Sequence, residues 1–330
     1  LITSMLSKEV CTISNIALSS DILASIGCIK TLGKKVTILD EEVNKKLIIE
    51  QDDLKQEELV FDCNESGSTL RFFIPIALTL GKKVKFIGTE KLISRGIAPY
   101  EEICEKQNIQ VIKEKTSITF IGKLKSGEFL VPGDISSQFI SGLLFALPLL
   151  DGDSKIIITT KLESKNYVDI TLDCLKQASI QINTINNVYE IKGNQEYHSG
   201  NYTVEGDYSN AAFLDAFNYF GGSVELIGLN KNSYQGDKVY QEYFKMLNDD
   251  YQTIDIGNAI DLGPILFAFA AMKNGGKFIN TSRLKIKESD RIEAVDCEIQ
   301  KFGAKIADFE SFVTIDKQIL TKPKEALNGQ

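Results

Sequence analysis

The sequence predicts an α/β protein of two domains, assembled from a repeated unit of roughly 70 residues that carries two helices and several strands. Three observations predict it. First, an apolar segment followed by a Gly or a charged pair and then a strand occurs five times. The copies are "LITSMLSKEVCTI" (1–13), "LRFFIPIALTLGKKVKFI" (70–87), "ISGLLFALPLLDGDSKIIIT" (140–159), "AAFLDAFNYFGGSVELI" (211–227) and "ILFAFAAMKNGGKFI" (265–279). Second, another series interleaves with these: 21–38, 100–112, 169–182, 239–254 and 290–306 each read as an amphipathic helix, a short turn and a strand. Third, 330 residues suffice for two ordinary cores.

The two series predict two kinds of helix. The first is apolar nearly all round and belongs in the interior. The second keeps one apolar face, as Ile292, Val295, Ile299 and Phe302 show at helical spacing, and belongs outside. The first unit opens inside its apolar helix. The fifth is followed only by "TIDKQILTKPKEALNGQ", a strand and a loop. Two domains of three units would need a sixth apolar helix, so the chain is expected to be incomplete at both ends. The expected domains are 1–204 and 205–330, with the crossing near "TVEGD".

Composition narrows the function. A hydrophobic fraction of 43% and a charged fraction of 25% are those of a globular protein. The net charge of −8 argues against a nucleic-acid footprint but leaves room for an anionic small molecule held by local cations. The apolar runs 139–150 and 259–272 fall short of the ~20 residues that span a bilayer. The opening residues lack a charged-then-apolar leader pattern. The six cysteines are scattered, without a C-x-x-C pair, and read as reduced thiols; a cytoplasmic protein is expected. His198 is the only histidine, so acid–base chemistry falls to carboxylates, lysines or tyrosines.

Polar residues gather where the apolar helices begin: "NESGSTLR" (64–71), "PGDISSQF" (132–139), "EGDYSNAAF" (205–213) and "GNAIDLGP" (257–264). Taken singly, these are ordinary caps. Repeated, with free N–H groups and the positive dipole end, they would form a composite anion site if the units of a domain are arranged about a pseudo-threefold axis. The stretches "EKLISRGIAPY", "ESKNYVDIT" and "IKESDR" place Arg, Lys, Tyr and Ser before the outer helices. In "KESDR" (287–291), Asp290 with Glu293 resembles a capping box. That accounts for Asp290 but not for Arg291, a cation where the dipole disfavours one.

"NESGSTLR", "GDISSQF", "ESKNYVDITL", "VEGDYSNAAF" and "RLKIKESDR", in this order, resemble 5-enolpyruvylshikimate-3-phosphate synthase, the shikimate-pathway enzyme inhibited by glyphosate. The resemblance runs over essentially the whole chain. It implies an inverse α/β barrel of two domains, built of βαβαββ units with pseudo-threefold symmetry in each domain. It also implies a reaction: the 5-hydroxyl of shikimate 3-phosphate displaces phosphate from phosphoenolpyruvate through a tetrahedral intermediate, without metal or organic cofactor. By resemblance, Ser136, Ser137, Gln138, Ser164, Tyr167, Asp261 and Lys287 hold shikimate 3-phosphate. Gly67, Arg95, Gln138 and Arg291 surround phosphoenolpyruvate. Asp261 is the base at the 5-hydroxyl, and Glu288 takes part in proton transfer at the methylene carbon. No nucleic acid or membrane partner is implied, and a monomer is. The family's Lys-Ser motif would fall before Leu1, and its Asp-His-Arg segment after Gln330. Glu65 and Phe72 stand where many members carry Asn and Pro. Two other readings stand beside the enzyme: an inactive shikimate-3-phosphate-binding remnant, and a non-catalytic scaffold of repeated αβ units.

Overall fold

Every sheet in the structure has the same wiring, one parallel pair followed by two antiparallel ones. The computed structural model describes residues 1–41, 43–52, 59–198, 200–287, 289–323 and 325–328. The chain divides into two compact units, Leu1–Val204 and Glu205–Gln330.

In the first unit the opening repeat runs α1 (Ile2–Leu6), β1 (Cys11–Ile16), α2 (Ser20–Thr31) and the hairpin β2 (Lys34–Asp40) and β3 (Lys45–Gln51). The second runs β4 (Leu59–Asp62), α3 (Gly67–Thr79), β5 (Val84–Ile87), a short α4 (Glu90–Ser94), α5 (Ala98–Lys106), β6 (Gln110–Glu114) and β7 (Ser117–Ile121). The third runs β8 (Glu128–Val131), α6 (Ser137–Ala146), β9 (Ser154–Ile158), α7 (Lys165–Gln177), β10 (Ile182–Ile185) and β11 (Val188–Ile191). A last short strand, β12 (Asn201–Thr203), closes the unit. The second unit holds α8 (Tyr208–Tyr219), α9 (Tyr240–Asp249), β13 (Gln252–Asp255), α10 (Gly263–Met272), β14 (Gly275–Ile279), α11 (Arg291–Gln300), β15 (Ile306–Asp308) and β16 (Phe312–Asp316).

The sheets are β12-β1-β3-β2, β4-β5-β7-β6, β10-β11-β9-β8 and β13-β14-β16-β15. In three of them an apolar helix joins the parallel pair: α3 between Leu59 and Val84, α6 between Glu128 and Lys155, and α10 between Gln252 and Gly276. A crossover helix is what a parallel pair requires. The first sheet obtains its parallel strand differently. β12 returns from the far end of the unit and pairs β1, with Thr12 opposite Asn201.

The inner helices are buried as their composition dictates. In α3 the interior positions include Leu70, Phe73, Ile74 and Leu78, and in α6 they include Phe139, Ile140, Leu143 and Leu144. Phe61 stacks on Phe86 at 4.7 Å in the first unit, and Phe244 on Phe269 at 4.2 Å in the second. Each such ring buried contributes about 1.5–3 kcal/mol of transfer free energy. The two units carry separate cores.

Two expectations need correcting. The strand expected in "GGSVELI" does not form: 223–227 is irregular. None of the four sheets includes it, so its backbone lacks the ladder that defines a strand. The fourth apolar helix is also only half interior. Tyr208, Ala211, Ala212 and Ala216 of α8 are buried, while Phe213, Leu214 and Phe217 are exposed. The small residues let α8 lie close on its neighbours, and the large ones face outward.

Candidate active site

Helix α3 starts at Ser66, whose Oγ accepts from the Thr69 N–H at 3.2 Å. Gly67 follows as the first helical residue. A Cβ there would lie 3.1 Å from Arg95 Nη1 and 3.5 Å from Arg71 Nη1, so the missing side chain is what lets two guanidinium groups crowd this helix start. Arg95 is brought there as the C-cap of the short helix α4. Arg71, one turn into α3, is only 7% exposed. Its Nη1 donates to Gln138 Oε1 at 2.7 Å, and its guanidinium lies 4.9 Å from the Phe139 ring centroid. Gly67, Arg95 and Gln138 are thereby drawn together through Arg71.

Gln138 sits in the first turn of α6. Ser136 is the N-cap, its Oγ accepting from the Gln138 N–H at 3.3 Å, and Ser137 is buried. Ser136 thus acts as an ordinary cap and fixes the backbone of Gln138. Ser164 precedes α7 in the left-handed conformation (φ 54°) and is 2% exposed. A non-glycine residue is uncommon in this conformation. The Tyr167 N–H donates to Ser164 O at 3.1 Å, which ties the tyrosine to that strained turn. Helices α6 and α7 are bridged by Ser141 and Thr171, whose hydroxyls are 2.7 Å apart.

Beneath this cluster Tyr100 of α5 is buried, its ring edge-on to Phe139 at 5.0 Å. Its hydroxyl lies 2.8 Å from Arg71 O and 3.0 Å from Phe139 O. Burial pushes its pKa well above the usual tyrosine range, opposed only in part by the Arg71 charge, so the hydroxyl stays a donor.

The second unit brings together Asp261, Lys287 and Arg291. Asp261 lies in the 3-10 turn Ile260–Leu262, just before α10. Its Oδ1 accepts from Arg291 Nη1 at 2.7 Å and is 3.1 Å from Lys287 Nζ. Gly263 opens α10, and a Cβ there would meet Leu284 Cδ1 at 2.9 Å. That close approach seats the turn Ser282–Ile286, and so the start of "KESDR", against the helix that follows Asp261. Asp290 caps α11 as expected, Oδ1 accepting from the Ile292 and Glu293 N–H groups at 3.0 and 3.1 Å. Arg291 sits unfavourably for the dipole, and its ion pair with Asp261 supplies a compensating partner. Glu288 lies outside the described residues.

Sequence reasoning passed over Arg71 and Tyr100. The signals were present: an arginine inside the apolar run "LRFFIPIAL", and a proline four residues after it. Among the described residues no group of three or more His, Cys, Asp and Glu could hold a metal, and no helix is long and apolar enough to cross a membrane.

Repeated βαβ units, with Arg71 and Arg95 at the start of α3 and Lys287 and Arg291 on Asp261, define the class: an α/β repeat protein with cations grouped beside helix starts. The same fold occurs in EPSP synthase structures from Acinetobacter baumannii. One matches at TM-score 0.73 with 18% identity, over 96% of this chain and 79% of that one; another matches at 0.71 with 17%. The family model for EPSP synthase (3-phosphoshikimate 1-carboxyvinyltransferase) matches residues 1–327. A 3-phosphoshikimate 1-carboxyvinyltransferase of Clostridium perfringens is 42% identical, over 100% of this chain and 81% of that protein. That of Clostridium novyi is also 42% identical, over 96% and 78%. The chain belongs to the EPSP synthase family.

Proposed function

We propose that the protein transfers the enolpyruvyl group of phosphoenolpyruvate to the 5-hydroxyl of shikimate 3-phosphate and releases phosphate. The observation that carries this reading is the helix start at Gly67, where Arg95 and Arg71 converge and Arg71 holds Gln138. Forked guanidinium donors beside a helix N-terminus suit phosphate and carboxylate groups. In this reading Gly67, Arg95, Gln138 and Arg291 hold phosphoenolpyruvate. Ser136, Ser137, Gln138, Ser164, Tyr167 and Lys287 hold shikimate 3-phosphate.

Asp261 serves as the base at the attacking hydroxyl. The oxygen attacks C2 of phosphoenolpyruvate while the methylene carbon takes a proton, a step assigned to Glu288. The C–O bond to phosphate then breaks as the proton is returned from the methyl carbon to restore the double bond. Arg291 and Lys287 share Asp261 Oδ1 in the structure, so an incoming anion competes with that carboxylate for the two cations. Substrate binding is thereby coupled to release of the base.

The test is direct. Incubated with both substrates, the protein should release phosphate in proportion to a product heavier than shikimate 3-phosphate by the enolpyruvyl group. Binding of shikimate 3-phosphate without turnover would leave a binder, and neither binding nor turnover would leave a scaffold.

A further inference from the structure

Helix α3 contains Pro75, four residues beyond Arg71. A proline has no N–H, so the hydrogen bond that Arg71 O would accept within the helix is not made. Leaving that carbonyl in the interior without a donor is costly. The donor comes from another helix: Tyr100 of α5 places its hydroxyl 2.8 Å from Arg71 O, and shares its proton with Phe139 O at 3.0 Å. The approach is possible because α6 has Gly142 at the crossing. A Cβ there would stand 2.3 Å from Tyr100 Oη, 2.4 Å from Arg71 O and 3.2 Å from Pro75 Cγ. One hydroxyl therefore joins α3 at Arg71 to α6 at Phe139. Arg71 and Gln138, the immediate neighbour of Phe139, are the pair whose side chains meet at 2.7 Å.

We propose that Tyr100 is a positioning residue for the anion site: its hydroxyl replaces the N–H that Pro75 lacks, and so fixes the two backbones from which Arg71 and Gln138 reach each other. The inference rests on the reading of Gly67, Arg95 and Gln138 as substrate contacts. Tyr100 touches no reacting atom in this scheme. It sets the register of the groups that do, by holding the helix that carries Arg71 against the helix that carries Gln138.

The experiment is a double-mutant cycle on the full chain: parent, Tyr100→Phe, Pro75→Ala and the double variant. Each is assayed for KM of phosphoenolpyruvate, for kcat and for thermal unfolding. Phenylalanine keeps the ring against Phe139 and removes only the donor. Tyr100→Phe should raise KM on the order of 3–10-fold, the effect of one buried hydrogen bond, with kcat within about twofold. In the Pro75→Ala background the alanine N–H can serve Arg71 O, and Tyr100→Phe should then change KM by less than about twofold. The fall in melting temperature caused by Tyr100→Phe should shrink in that background too. An unchanged KM in Tyr100→Phe, or an equal rise in both backgrounds, overturns the inference. So does equal loss of melting temperature in both backgrounds, a result that is read whether or not the parent turns over. A parent that releases no phosphate defeats the proposed function instead.

Discussion

Gln138 is the residue assigned to both substrates, and it is paired with the buried guanidinium of Arg71. Gln138→Ala should weaken shikimate 3-phosphate by about 1–3 kcal/mol, because it leaves polar partners unmatched. His198→Ala should leave it unchanged, since His198 is exposed and its imidazole Nδ1 lies 3.2 Å from Glu9 Oε1. Titration of shikimate 3-phosphate checks both, and equal effects would refute the assignment. Asp261→Asn keeps the shape and can still accept from Arg291, so its loss should fall on kcat, by about 10²–10⁴-fold, with the melting temperature nearly held. Arg291→Lys keeps charge but loses the fork, and should chiefly raise the KM of phosphoenolpyruvate. At this scale the sequence was legible where polarity broke a pattern. Arg291 was marked by its conflict with the dipole, and the structure gives it Asp261. Arg71 was hidden because it lies in the second turn of an apolar helix, where its partner depends on how α3 meets α6. That meeting is a tertiary fact which local periodicity does not encode.

At the scale of elements, glycine and carboxylate positions decide what can be changed. Gly275 opens β14 at φ 76°, and a Cβ there would lie 2.4 Å from Ile315 O across the ladder. Gly275→Ala should cost about 1–3 kcal/mol through strain alone and more through the clash, read as a lowered melting temperature. Gly96, at φ 74°, has open space, so the same change there should show only the strain. The lead-in to α8 carries the charge-dependent feature. Burial raises the Glu205 pKa, but hydrogen bonds from Ser233, Gln235 and Asn230 more than offset it and hold the carboxyl below its usual range. The folded state thus favours the charged form, and its contribution is present at neutral pH. It is lost as pH falls through the folded value, where the unfolded chain binds more protons. Melting temperatures followed downward through the carboxylate range should fall less steeply in Glu205→Gln than in the parent. Helices were legible from their periods, and the cap of α11 from Asp290. Residues 223–227 were misread because β-rich composition states only readiness to pair, while a strand exists through its neighbour.

For the whole molecule the informative quantity is the repeat. It was legible because a copy that buries one helix and half-exposes the other writes an alternation of apolar and amphipathic segments, a rule that α3, α6 and α10 follow and the half-exposed α8 does not. The wiring of the sheets was less legible, since strand order depends on which edges meet. Each unit holds its own core, so hydrogen exchange should resolve two sets of protected amides, one in 1–204 and one in 205–328, with separate denaturant dependences. A single shared dependence would show that the cores open together.

The pairing of β12 with β1 has a consequence for how the protein is made. Thr12 must wait for Asn201, and the Val204 N–H then bonds Ser14 O at 3.0 Å. While the chain leaves the ribosome, the second and third sheets can assemble from strands close in sequence, but the first keeps an open edge until residue 203 has emerged. An unpaired edge is a template for wrong partners. Nascent chains arrested short of that point should be markedly more prone to chaperone capture than chains arrested beyond it.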